Sequence, residues 1–124
     1  MGKRHPDLHR WQWRTYARNH RNPTNLVLHL IAVPLFVVSV LVILTGLFDL
    51  AWLPVALGVI GVLASLALQG HGHRLEHEAP EPFDGRRDAV GRILMEQFVT
   101  FPRFLFSGGW WRNWRNWRNW RNRS

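Results

Sequence analysis

No cysteine occurs among the 124 residues. Disulfides and thiolate metal sites are therefore excluded, and any bound metal must be held by His, Asp, Glu or backbone oxygen. There is no glycine-rich phosphate loop, and Ser39, Ser65 and Ser107 stand in no nucleophile context. Basic side chains are missing from one long stretch: residues 26–70 contain no Lys or Arg and a single acid, Asp49. A soluble helix carries charge on its wet face, so a run of this kind argues against a soluble domain.

The stretch is filled by apolar residues. "LVLHLIAVPLFVVSVLVILTGLF" runs from Leu26 to Phe48. Its length is about 34 Å as a helix, enough for a hydrocarbon core of about 30 Å. Pro34 is tolerated in such a helix. "DLAW" reads as a tight turn, and "LPVALGVIGVLASLALQG" comes next with Gly58, Gly61, Ala64 and Ser65 along one side. Small residues let two membrane helices approach closely, so the two segments form a hairpin. The first run starts too late and is too long for a secretory signal, and a second succeeds it at once.

The net charge of +8 points to an anionic partner, nucleic acid or acidic headgroups. Lys3, Arg4, Arg10, Arg14, Arg18 and Arg21 precede the first span, and arginines return after the second. By the positive-inside rule both termini face the cytoplasm, in a bacterial inner membrane or an endoplasmic-reticulum type of membrane. The hairpin thus returns both of its outer ends to one membrane face.

Residues 7–21 read as a basic, aromatic first helix, broken by "NPTN", where Thr24 or Asn25 can cap the long apolar helix. Residues 81–88 read as a loop. "AVGRILMEQFVTFPRFLF", residues 89–106, places Val90, Ile93, Leu94, Phe98, Phe101 and Leu105 on one side and Arg92, Glu96 and Arg103 toward the other. This amphipathic pattern, interrupted at Pro102, suits a helix in the interface or beneath the hairpin better than a third crossing. "WRNWRNWRNWRN" then repeats one triplet from Trp111 to Asn122. The predicted fold is an all-α integral membrane helical hairpin with two spans, an N-terminal amphipathic helix and a C-terminal interfacial helix. Residues 1–109 form its single domain, and residues 110–124 a flexible or interfacial tail. Tryptophan with arginine suits a headgroup anchor. No nucleic-acid partner is expected of a tail that hangs from a membrane hairpin, and a homo-oligomer is left open.

The seven histidines are unevenly placed. His20 and His29 lie at the start of the first span. His71, His73 and His77 lie at the end of the second, in "GHGHRLEHEAP" with Glu76 and Glu78. Hairpin topology brings the two sets to the same face. His29 lies one turn inside an apolar span, where a polar ring must find a partner. A backbone carbonyl or Asn25 would serve, and so would a metal held by neutral imidazole. His73 and His77 are spaced i,i+4, with Glu76 on the same side, a pattern met in metal sites and at charged helix ends alike. Iron(II) and zinc both suit such ligands, and a His-plus-carboxylate set with an open position suits oxygen-using iron.

"YARNHRNPTNLVLHLIAVP" resembles the opening motif of the 2-hydroxy fatty acid dioxygenase family through Tyr16, His20, Asn22, Pro23, Asn25, His29 and Pro34. "QGHGHRLEHEAP" resembles its second motif through Gln69, Gly72, His73, Glu76 and Pro80, and "FVTFPRF" its closing stretch. The His73-to-Glu76 gap is one residue shorter than in the fungal members. The resemblance implies an integral membrane enzyme that uses Fe(II) and O2 to shorten a 2-hydroxy fatty acid by one carbon. It carries His20, His29, His73 and Glu76 over as catalytic metal-site residues, with His77 and then His71 as further candidates. Zinc, in a membrane hydrolase, is the alternative metal; a non-catalytic membrane protein with structural histidines is the other reading. Arg74 or Arg86 would pair with the substrate carboxylate. On the enzyme reading, turnover is expected to survive removal of residues 110–124.

Overall fold

Proline at position 23 decides where the first long helix begins. It forces the residue before it into an extended conformation, which is the geometry of an N-cap. In a computed structural model, which describes residues 7–78 and 80–116, Asn22 takes that conformation, and its Oδ1 accepts from the N–H groups of Thr24 (2.8 Å) and Asn25 (3.2 Å). The cap is therefore Asn22, not Thr24 or Asn25, because Pro23 occupies the first helical position.

All the regular elements among the described residues are helical. Helix α1 (Leu8–Tyr16) ends in a 3₁₀ turn, Ala17–Asn19. Helix α2 (Pro23–Phe48) runs unbroken through Pro34, and α3 (Trp52–Arg74) returns beside it. Both are long and apolar enough to cross a membrane. α3 extends one turn past the apolar run, so Gly70 to Arg74 are helical.

The seam of the hairpin uses the small residues. A Cβ on Gly58 would lie 2.7 Å from the Ser39 carbonyl oxygen, so the backbones meet there as only glycine permits. One and two turns on, Gly61 faces Ser39, and Ser65 donates its hydroxyl to the Ala32 carbonyl at 2.6 Å. Ala64 is not in the seam and is exposed.

The chain then crosses to α4 (Arg86–Met95), a π-helical turn (Glu96–Thr100) and α5 (Phe101–Phe106), one continuous rod. Pro102 does not interrupt it. Phe101 N–H bonds to the Glu96 carbonyl, an i to i−5 step, and this wider turn relieves the clash a proline ring makes with the carbonyl four residues back. Gly108, at φ 89°, turns the chain into α6 (Gly109–Arg115).

The rod's facing differs from the amphipathic expectation. Val90, Leu94 and Phe98 are exposed, whereas Arg92, Gln97 and Thr100 are buried. Of the expected inward set, Phe101 is buried in a core with Tyr16, Leu26, Val33, Phe104 and Trp110, Leu105 packs half-buried against that core, and Ile93 is half-buried. The reason is the interior at this end, which is polar. Gln97 and Gln69 exchange amide hydrogen bonds at 2.8 and 2.9 Å, Gln12 donates to the Arg92 carbonyl at 3.0 Å, and Thr100 donates to Gln12. The start of the Trp-Arg-Asn stretch also differs from a loose tail: α6 packs on the hairpin with Trp110 buried. Residues from 117 onward lie outside the described residues.

Candidate metal centre

Three helices and one link each deliver a single side chain to one point. His20 sits in the link between the 3₁₀ turn and α2. His29 lies on the second turn of α2, His73 on the last turn of α3, and Glu96 on the π-helical turn. The three imidazoles form a nearly equilateral triangle, with centroids 4.7, 4.8 and 4.9 Å apart. One donor atom from each of these four residues lies within 4.8 Å of all the others.

Hydrogen bonding fixes the tautomers of two rings. His20 Nδ1 lies 2.7 Å from the Tyr16 carbonyl oxygen, and His29 Nδ1 lies 3.2 Å from that of Asn25. A carbonyl only accepts, so each Nδ1 carries the proton and each Nε2 presents a lone pair. Both Nε2 atoms point at Glu96 Oε2, 3.3 Å away, and neither has a hydrogen-bond partner although both are buried. His73 Nδ1 is likewise buried without one. Lone pair facing lone pair is repulsive unless a cation lies between them. The spacing suits ligands about 2.1 Å from a shared ion, and the Nδ1–H bonds to carbonyls are the outer contacts that orient metal-bound imidazoles. The donor set therefore fits a divalent metal of the first transition row.

Tyr16 completes the arrangement. Its hydroxyl donates to Glu96 Oε2 at 2.7 Å, and its ring stacks on His20 at 3.9 Å. Burial foremost, and then Glu96, push the phenol well above its usual pKa, so it stays a donor.

A cavity of about 530 Å³ opens onto Tyr16, His20, His73 and Glu96. Trp11, Leu66, Phe83 and Ile93 line its apolar wall, and Gln69 and Gln97 its polar edge. Arg18 and Arg92 line it too, whereas the expected Arg74 and Arg86 do not. The Arg92 guanidinium lies over the rings of Trp11 (4.9 Å) and Phe83 (4.6 Å), with Asp88 at 3.5 Å.

Of the residues singled out in the sequence, His20, His29 and His73 are brought together. Glu76 is not among them. Its two oxygens accept from Arg21 N–H (2.9 Å), Asn22 N–H (2.9 and 3.0 Å) and the Asn25 amide (2.7 Å), tying the end of α3 to the start of α2. His77 is exposed beyond the end of α3; the helix stops at Arg74, so no i,i+4 face joins it to His73. His71 is exposed as well. The carboxylate at the centre is Glu96, which the sequence pattern placed on the wet side of an amphipathic helix. The available signal was Arg92, Glu96 and Gln97 recurring at helical spacing within an otherwise apolar segment.

One family model matches the chain, over residues 8–103; its description is 2-hydroxy-palmitic acid dioxygenase Mpo1-like. No curated protein and no solved structure matches.

Proposed function

The chain belongs to the Mpo1-like family, and from that premise we propose that it is an Fe(II)-dependent membrane dioxygenase shortening a 2-hydroxy fatty acid by one carbon. The observation that carries the reading is the convergence of His20, His29, His73 and Glu96, with two Nδ1–H groups committed to carbonyls and the opposite nitrogens aimed at one carboxylate oxygen. These four residues would hold the metal. Bound there, iron would supply the reaction with O2 that the two-electron chemistry of an organic acid cannot reach alone.

The chain's own groups do the rest. The Tyr16 hydroxyl keeps Glu96 turned toward the imidazoles. The cavity takes the acid's polar end beside His20 and His73, with Leu66 and Ile93 against its first methylenes and Arg92 as the cation within reach. Large apolar side chains exposed along α2 and α3, among them Leu41, Leu44, Ile60 and Leu63, support insertion in a bilayer. The charge pattern supports a cytoplasmic face for the metal end and both termini. Exposed Val90, Leu94 and Phe106 on the α4–α5 rod suit the adjoining interface.

Metal analysis of protein purified without oxygen in mild detergent tests this reading. About one iron per chain is expected, lost in His29→Ala, with 2-hydroxypalmitate and O2 then giving the acid one carbon shorter. Zinc in its place would point to a hydrolase or a structural site. No metal after reconstitution with Fe(II) would leave the histidines as structural residues.

A further inference from the structure

The Trp-Arg-Asn repeat begins directly behind the metal centre. His20 lies where the 3₁₀ turn has ended and α2 has not begun, and its N–H makes the last bond of that turn, to the Ala17 carbonyl at 3.3 Å. The Asn113 amide, one nitrogen with two hydrogens, donates to the carbonyls of Ala17 (2.9 Å) and His20 (2.8 Å). One turn earlier on α6, the Trp110 indole N–H donates to the Leu26 carbonyl at 2.9 Å, three residues before His29. Trp110 is 4% exposed, and Trp114 stacks on it at 5.5 Å. A short helix thus grips both backbone segments that carry buried imidazoles. Neither Asn113 nor Trp110 lines the cavity or belongs to the donor group. The helix also begins after residue 103, where the family match ends.

We propose that the start of the repeat is a latch on the metal centre, with Asn113 and Trp110 as positioning residues that hold the backbone of His20 and of the first turns of α2. This rests on the proposed metal site and reverses the expectation that residues 110–124 are dispensable. The latch fixes the His20 link in space, and removing it lets that imidazole swing away from the other two. It also gives the repeat a register: Asn113 is engaged, while Asn116, the same residue type one triplet later, is exposed.

The test uses the full chain in detergent and Co(II) as the probe, whose visible bands report ligand number and geometry. Asn113→Ala should weaken Co(II) binding by about ten-fold or more, the scale seen when outer contacts of a ligand are lost, and should shift the bands. Asn116→Ala, and a chain ending at Asn116, should match the wild type in both. Trp110→Phe keeps the ring and loses only the N–H, so it should give a smaller change of the same sign. If Asn113→Ala does not fold, Trp110→Phe decides on the same two readouts. Unchanged affinity and spectrum in Asn113→Ala, with wild-type binding intact, would overturn the latch and leave the metal site standing. Equal losses in Asn113→Ala and Asn116→Ala would overturn it too. A wild-type chain that binds no Co(II) would overturn both proposals.

Discussion

The hairpin has two ends built from the same two helices, and they handle polarity in opposite ways. At the turn end, Phe48, Leu50 and Trp52 are 89%, 83% and 75% exposed, and the seam is held by glycines and close backbone approach. At the other end Asn25, His29 and Ser65 are completely buried, and Gln69 nearly so. Buried polar groups are costly unless partnered. Here the partners come from both inside and outside the hairpin: the Ala32 and Asn25 carbonyls of α2 serve Ser65 and His29, while the Gln97 amide serves Gln69 and Glu76 serves the Asn25 amide. The turn end presents large apolar side chains outward, as a span in a bilayer would. The other end turns that arrangement inside out, and among the described residues the group of His and Glu side chains that could hold a metal ion lies there. On the proposed function, the two spans are a scaffold whose chemistry lies at one end.

The largest expected effect separates the two carboxylates of that end. Glu96→Gln should leave a folded chain that retains little or no iron, since the group facing both Nε2 atoms no longer carries a charge. Glu76→Gln should keep about one iron per chain. It should instead lose about 1–3 kcal/mol of stability, the cost of weakening a half-buried carboxylate that accepts from several N–H donors. Iron content and thermal unfolding on the same two preparations check both statements. The reverse pattern, an empty Glu76→Gln and a loaded Glu96→Gln, would hand the ligand role to Glu76 and undo the contrast between an ion site and a tie.

Much of this architecture is legible in the sequence because a bilayer imposes simple rules. Twenty or more apolar residues without a cation read as a span, a short polar break reads as a turn, and hairpin topology then places His20 and His29 beside His73. Glu96 was not legible for a definite reason. The amphipathic rule sends apolar side chains inward and charged ones outward, which holds when the solvent is water. Around a polar interior the rule changes sign, and Val90 and Leu94 exchange places with Arg92 and Gln97. The π-helical turn was hidden as well, since no propensity marks it. Pro102 looked like a break, although a wider turn accommodates it. His77 failed because helical spacing has meaning only as far as the helix runs. Asn113 could not be singled out from its identical neighbours in the repeat, because only tertiary packing gives one copy a partner.

A charge on the outer surface of the turn-end half tests whether lipid is its solvent. Ile60 is 61% exposed near the middle of α3. Ile60→Arg should reduce membrane insertion, with a cost of about 3 kcal/mol for a cation near the bilayer centre. Translation with microsomes or inverted vesicles, followed by carbonate extraction, reads the inserted fraction. Undiminished insertion, or a variant that becomes soluble and monomeric without detergent, would mean that the exposed apolar face meets water or protein instead.

The smallest effect asks whether the two ends are energetically separate. Gly58→Ala adds a methyl group 2.7 Å from the Ser39 carbonyl oxygen and 2.5 Å from Ile43 Cγ1, so the helices must part locally. Overpacking of this kind costs about 1–3 kcal/mol, visible as a lower unfolding temperature in detergent. Gly58 lies fifteen residues before His73 on α3, about 22 Å along the axis. At the metal end the helices are tied by Ser65 to Ala32 and by Glu76 to Asn22 and Asn25, contacts that a shift near Gly58 does not touch. Metal affinity should therefore stay within about two-fold of wild type while stability falls, as expected of sites that share no contacts. An affinity that fell in step with the unfolding temperature would show that the seam sets the distance between His29 and His73 along its whole length. The turn end would then be part of the site and not a scaffold beneath it.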